Sequence, residues 1–394
     1  MADVLTERLL AKPVGPFIAP RVTNPERDFT RQVEIVGDHA AVTVRGSTKE
    51  TDESAAATHL RSHGEDPALW TATGFRSSEW TMPNGETGVS ARYTFTRRPT
   101  AEVERLPLDE LLADLQLHEP KADRAIGDHG FIVALGDMQF GKIDGDGFAG
   151  TLHRTIAYLD KAADALESYR LRFDIGHVHI AWLGDHIEGF VSQAGANVWR
   201  TPLTLNEQIR LTRRVMLYAL SLFANSASKV SMAAVPGNHG EAVRLNGKGL
   251  TRFDDSHDTE SLIAVADAAE LNTEAFGHVE FYVPQTDELT VVVPVAGTVV
   301  AHAHGHQWKP GKHFDWWRGQ AFNADSAMHQ ADLLLAGHLH HEHVDSDGRR
   351  LFVQPPAMES ESTWWRHAKG TTGHPGLVVA ITKDGVTSPL EVVR

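Results

Sequence analysis

Five short sequences place metal-competent side chains beside glycine: GDMQ (136–139), GDH (184–186), GNHGE (237–241), HAHGH (302–306) and GHLHH (337–341). Aspartate brings negative charge and can bridge two cations, whereas neutral imidazole and the Asn side-chain carbonyl are directional single donors. Brought together, this set could hold two divalent metals. Taken alone, each piece has an ordinary explanation, since a Gly-Asp pair after a strand is usually a helix cap or a turn. Five such pieces in order, separated by distances that suit strand-helix units, point instead to one shared site.

The elements that must position these residues are legible around them. FIVALG (131–136), HVHIAWLG (177–184) and KVSMAAVPG (229–237) read as buried strands, each ending in glycine. Between them lie amphipathic segments: Leu152, Ile156, Leu159, Ala163 and Leu166 keep the spacing of one helix face, and Thr204 with Glu207 fits a capping box. Strand, helix, strand, helix, strand implies βαβ units and a sheet that is largely parallel at first, with the carboxyl ends of its strands opening on one crevice. TVVVPVAGTVVAHAHG (290–305), DLLLAGHLH (332–340) and RLFVQPP (350–356) look like strands without intervening long helices and suggest a second sheet.

Ahead of this region, residues 1–96 read as a small α+β module, with a helix-compatible stretch near Ser54–His63 and strands at Val42–Arg45 and Val89–Phe95. Residues 97–125 hold Pro99, Pro107 and Pro120 among many charges and read as a linker with one short helix near Leu108–Leu117. The boundary of the second domain, 126–394, falls near residue 125. Four of the 23 histidines lie in residues 1–125 and 19 beyond, so the chemistry belongs to the second part.

The absence of cysteine removes disulfides, thiolate metal sites and cysteine nucleophiles. The N-terminal MADVLTERLLAKP lacks the apolar stretch of a signal peptide, and no run approaches the ~18 apolar residues of a membrane span. The expectation is a soluble, cytoplasmic protein with no membrane partner. A net charge of −15 disfavours broad adhesion to nucleic acid or anionic lipid, while leaving room for a local basic groove.

In sequence order these residues resemble the pattern of the calcineurin-like metallophosphoesterases, D-x-H, G-D, G-N-H, a strand-terminal His and G-H-x-H, over about residues 130–360. The resemblance implies an α/β fold of metallophosphoesterase type, a β-sandwich flanked by helices, with the small N-terminal α+β domain outside it. It implies a first metal on Asp137, Gln139, Asp185 and His340, and a second on Asp185, Asn238, His304 and His338, bridged by Asp185. Gln139 stands where the family carries histidine. Its carbonyl is a weaker and harder donor than imidazole, which tilts the expected ions toward Mn²⁺ or Mg²⁺, with Fe²⁺ and Zn²⁺ as alternatives. His302 is the substitute for His304. By the same resemblance His239 stabilises charge at the scissile phosphate or protonates the leaving oxygen, and hydroxide activated by two metals attacks a phosphodiester.

The surroundings suggest a substrate class. Gln307–Arg318 interleaves Trp308, Trp316 and Trp317 with Lys309, Lys312 and Arg318, a mixture suited to bases stacked beside phosphates. It equally suits a lid or a core patch. Arg244, Lys248 and Arg252 form a second basic cluster, and His186 is placed to reach either substrate or the residues that support the metals. Phosphodiester cleavage in nucleic acid, DNA included, is the leading expectation. Hydrolysis of a cyclic nucleotide or phosphomonoester is the alternative favoured by the acidic charge, and a non-catalytic metal-binding scaffold is a third.

Overall fold

The computed structural model describes residues 31–36, 39–46, 53–67, 70–81, 87–97, 118–121, 123–191, 201–245, 248–249, 251–323, 326–360, 367, 370 and 373–394. They divide into two compact units, those within Leu10–Pro107 and those within Leu108–Arg394. The expected helix near 108–117 lies outside the described residues.

In the N-terminal unit, β1 (Arg31–Val36), β2 (His39–Gly46), β3 (Trp70–Thr81) and β4 (Thr87–Arg97) form one antiparallel sheet in the order β1-β2-β4-β3, and α1 spans Glu53–Ser62. Alternate residues Val42, Val44, Ala91, Tyr93 and Phe95 face α1, where Ala56 and Leu60 close the core with Trp70. This is the period of two that a sheet with one covered face demands.

The larger unit has two sheets. β5 (His129–Leu135), β6 (Ile175–Trp182), β7 (Lys229–Ala234), β10 (Val279–Tyr282), β16 (Leu377–Lys383) and β17 (Val386–Val393) pair in the order β10-β7-β6-β5-β16-β17. β5, β6, β7 and β10 are parallel, and β16 and β17 extend the sheet antiparallel. The helices between the parallel strands are α2 (Gly147–Arg170), α3 (Leu205–Phe223) and α4 (His257–Ala269). The capping box at α3 is formed: Glu207 N–H donates to Thr204 Oγ1 at 3.3 Å, and Thr204 N–H donates to Glu207 Oε2 at 2.7 Å. A two-residue antiparallel pair, β8 (Arg244–Leu245) with β9 (Lys248–Gly249), follows β7.

The second sheet comprises β11 (Val291–Val295), β12 (Thr298–Ala303), β13 (Leu333–Ala336), β14 (His343–Asp347) and β15 (Arg350–Gln354), in the order β11-β12-β13-β15-β14. Its inner face, Val293, Val295, Val300, Leu333, Leu335 and Val353, packs on Ile132, Ala134, Ala181, Ala233, Val378 and Ala380 of the first. This is an α/β sandwich with helices flanking it, as the sequence leads one to expect. One connection differs from expectation. β12 and β13 run parallel, and parallel neighbours require a crossover. α5 (His313–Phe322) supplies it and covers the outer face of the second sheet.

The last residues of the stretch read as linker are held on this larger unit. His118 stacks on Phe276, with ring centroids 5.0 Å apart, and Arg124 donates to the Ala275 carbonyl at 3.3 Å.

Candidate metal centre

The loops after β5 and β6 run side by side at the strand carboxyl ends. Asp137 N–H donates to Gly184 O at 3.0 Å, Gln139 N–H to Asp185 O at 2.9 Å, and Phe140 N–H to His186 O at 3.0 Å. The backbone is forced here. Among the described residues, the non-glycine residues with positive φ include Asp137 (52°), Gln139 (43°), Asp185 (52°), His338 (74°) and His340 (58°). Such conformations cost about 1–3 kcal/mol each and persist where function needs them. Gly237 is required because a Cβ would lie 2.0 Å from Asp185 Oδ1.

At the centre, Asp185, His304 and His338 each present a donor atom, all within 4.8 Å of one another, a group that could hold a metal ion. His304 Nε2 sits 2.9 Å from Asp185 Oδ2, and its Nδ1–H donates to Leu183 O at 2.7 Å, which turns Nε2 inward. Asn238 Oδ1 is buried without a hydrogen-bond partner, as a carbonyl donor reserved for a cation would be. His304, and not His302, is the ring that stands beside Asp185 and His338.

His302 occupies a different setting. His302 Nδ1–H must donate to Val291 O, 3.1 Å away, because a carbonyl only accepts. Its Nε2 then accepts from His179 Nε2–H at 2.8 Å, His179 Nδ1 accepts from Ser231 Oγ–H at 2.8 Å, and Ser231 accepts from His177 Nε2–H at 2.7 Å. All three rings are neutral in this one-directional chain. Burial pushes His302 and His177 down to about 4.

A second group lies beside the first. His340 Nε2 is 3.3 Å from Asp137 Oδ1, and His340 Nδ1 meets Glu359 Oε1 at 2.9 Å. Asp137 Oδ2 accepts the His338 backbone N–H at 2.8 Å. Burial favours neutral forms in this cluster, but opposite charges win. His340 is raised to about 10 by Asp137 and Glu359, and His304 to about 9 by Asp185. Burial likewise opposes ionisation of Asp185, yet His304 and His239 hold its carboxyl well below the ordinary range. His338, dominated by desolvation, falls to about 4.

Gln139, expected as a ligand, is engaged elsewhere: its Oε1 accepts from Lys142 Nζ at 2.7 Å, and its Nε2 lies 3.3 Å from His239 Nε2. His239 is clamped from behind, its Nδ1–H donating to Glu188 O at 3.0 Å with Glu188 Oε2 3.4 Å away. Burial would keep the ring neutral, but Asp185 and Glu188 raise it to about 9. The contact with Gln139 Nε2 can be a hydrogen bond only while the ring is neutral. A proton on Nε2 requires that long contact to open and the N–H to turn toward Asp185 Oδ2, 4.0 Å distant.

His186 is fully buried, with Nε2 accepting from Gly184 N–H at 3.3 Å and Nδ1 3.4 Å from Asp258 Oδ1. Its place is in the support of the loop, not at substrate. Four supporting residues escaped the sequence reading. Asp258, in the first turn of α4, accepts from the backbone N–H groups of Asp185 (3.1 Å), His186 (3.0 Å) and Gly237 (2.8 Å). Glu188 holds His239, while Glu359 and Lys142 complete the second group. Ser256-His257-Asp258 reads as helix capping, which it also is, with Asp258 N–H donating to Ser256 Oγ at 3.2 Å. Nothing in the residues near Glu359 signals its role.

The stacking platform expected from Trp308 is not formed. Trp317 is fully buried and Trp308 nearly so, packed with Met328, Leu334 and Phe352 beneath the second sheet, and Trp316 lies against Trp308. The amphipathic crossover needed a covered face, and the tryptophans supply it. Lys309 is exposed. Arg244 lies in β8, its side chain outside the described residues, as are Trp364 and Trp365.

No family model and no curated protein matches the chain. Among solved structures it is similar to a predicted phosphoesterase from Streptococcus pneumoniae, with 15% identity over 65% of this chain and 84% of that one and a TM-score of 0.27. It is similar also to a novel archaeal phosphodiesterase, at 12% identity over 67% and 99% with a TM-score of 0.31. A third is zinc-complexed Vps29 from Entamoeba histolytica, at 14% over 67% and 98% with a TM-score of 0.30.

Proposed function

We propose that this chain is a metal-dependent phosphoester hydrolase acting on diesters. The observation that carries the reading is the convergence of Asp185, His304 and His338 within 4.8 Å, with His239 held beside them. Asn238 Oδ1 would complete the set. When bound, a divalent ion would supply Lewis-acid polarisation of a phosphoryl oxygen and lower the pKa of water, and Mn²⁺ is the ion chosen for the tests.

The protein's own residues account for the rest. Asp185 holds the His304 ring and, through Oδ1, accepts the His239 backbone N–H at 2.8 Å, which fixes His239 relative to the metal donors. Glu188 orients His239 so that only Nε2 is available to a substrate. From that position the imidazolium stabilises charge on the phosphoryl group or gives its proton to the leaving alkoxide, a step that an alcohol leaving group needs.

Burial of Trp308 and Trp317 removes the feature that favoured extended nucleic acid, so small diesters such as cyclic nucleotides are the better-supported substrates. The test is one panel with Mn²⁺: bis-p-nitrophenyl phosphate, p-nitrophenyl phosphate, cyclic nucleotides, and single- and double-stranded DNA. Diesters are expected to be cleaved faster than the monoester, with no turnover in excess chelator. Undiminished turnover in chelator refutes the metal reading, and DNA consumed while small diesters persist returns the assignment to a nuclease.

A further inference from the structure

We propose that Lys142 is a built-in cation at the Asp137–His340–Glu359 end of the site, so that the chain holds one divalent ion tightly rather than two. The proposal builds on the metal-dependent reading above and makes Lys142 a positioning and charge-supplying residue of the same centre.

The two ends of the site are not alike. At one end, three side chains offer donor atoms to a common point and Asn238 Oδ1 waits unpartnered beside them. At the other, Asp137 Oδ1 is unpartnered as well, but the Gln139 and Glu359 oxygens beside it already share an ammonium. Lys142 Nζ donates to Gln139 Oε1 at 2.7 Å and sits 3.0 Å from Glu359 Oε1, and the same Glu359 oxygen is 2.9 Å from His340 Nδ1. That leaves Asp137 Oδ1 and His340 Nε2 as a pair 3.3 Å apart, without the third neutral donor that Gln139 would have provided.

The local backbone makes this arrangement deliberate rather than incidental. Lys142 N–H donates to Gln139 O at 3.0 Å, closing a turn that brings residue 142 back over residue 139. Gly141 permits that turn at φ 116°, where a Cβ would also lie 2.6 Å from the Gln208 amide carbon. Glu359 is pinned to the same loop by its N–H donating to Asp137 O at 3.0 Å. The Lys142 side chain is 14% exposed and that of Glu359 is 5% exposed, so their pairing is poorly screened by solvent. A divalent ion entering this end would meet a fixed positive charge and would have to displace it from two oxygens. A fixed ammonium there also places positive charge where a transferring phosphoryl group needs it, with no reorganisation.

The decisive experiment counts ions on the intact chain. Chelator-stripped protein is dialysed against Mn²⁺, bound metal is measured by elemental analysis, and electron paramagnetic resonance distinguishes isolated Mn²⁺ from an exchange-coupled pair. The wild type is expected to bind one ion per chain with an uncoupled spectrum. Lys142→Met combined with Gln139→His is expected to bind two, with the coupled spectrum, while Lys142→Arg stays at one. Two ions of similar affinity on the wild type overturn the proposal without any variant being needed. A folded double variant, checked by circular dichroism, that still takes one ion overturns it as well. These readouts are independent of turnover: one tight ion with no phosphodiester cleavage fails the functional reading alone, and cleavage by a two-ion wild type fails this inference alone.

Discussion

Two aspartates and one histidine bear the consequences at the scale of single residues. Asp185 meets His304 through one carboxylate oxygen and the His239 backbone through the other, so Asp185→Asn should remove both metal binding and activity. Retained Mn²⁺ binding by the purified variant would show the donor set to be misassigned. His239 contributes no donor to that set. His239→Ala is expected to slow diester hydrolysis by about 10²–10⁴-fold while leaving the bound-metal content unchanged, as loss of a general acid should. A parallel loss of metal would make His239 a ligand instead. Asp258 binds no substrate, yet it accepts three backbone N–H groups beneath the site with a fully buried carboxylate. Asn in its place would set one amide N–H₂ against backbone donors.

Among elements, α5 and the strands β6 and β12, which face each other across the two sheets, carry the sharper tests. Trp317 lies at the centre of the packing between α5 and the second sheet, so Trp317→Ala should cost about 3–5 kcal/mol of stability. Denaturant unfolding measures this, and a change below ~1 kcal/mol would mean that the ring is exposed in solution. The His177–Ser231–His179–His302 chain couples stability to pH. His302 and His177 are depressed by burial to about 4, so between about 6.5 and 4 the unfolded chain binds protons that the folded chain does not. Their stabilisation is complete above that window and declines as pH falls through it. His302→Gln keeps an acceptor for His179 and a donor for Val291 without titrating. The stability difference between wild type and this variant should therefore shift toward the variant on going from pH 7 to pH 5, by on the order of 1 kcal/mol or more. A pH-independent difference would remove His302 from the buried neutral chain.

For the whole molecule, a site assembled from β5, β6, β7, β12 and β13 exists only when both sheets are packed. A metal bound there has no comparable partner in the unfolded chain, so it must stabilise the fold. At Mn²⁺ 100-fold above its Kd the gain is about 2.7 kcal/mol, and melting temperature should rise with metal concentration and return with chelator. An unchanged melting curve across that range would argue against a metal at this position. No helix among the described residues is long and apolar enough to cross a membrane.

Residue order and spacing alone determined the strand-end motifs, the parallel strands β5, β6 and β7 and the capping box at Thr204, because each is a local pattern that period and turn chemistry dictate. The choice of His304 over His302, which carries the same side chain two residues away, rested on the family resemblance and not on spacing. The difference between the two lies in what each ring meets: Asp185 and Leu183 across the sandwich for one, His179 across it and Val291 on the neighbouring strand β11 for the other. Lys142 and Gln139 are three residues apart, but Glu359, the other partner of Lys142, lies more than 200 residues away in the chain. Asp258 likewise serves residues 21, 72 and 73 positions earlier. The tryptophans of Gln307–Arg318 were ambiguous for a related reason: composition allows either an exposed platform or a covered face. The parallel register of β12 with β13 required a crossover, and packing that crossover on the sheet buried the aromatic rings. Contacts between segments distant in the chain leave no local period or turn signature, so the support of the site and the fate of its aromatic neighbour became visible only in the packed structure.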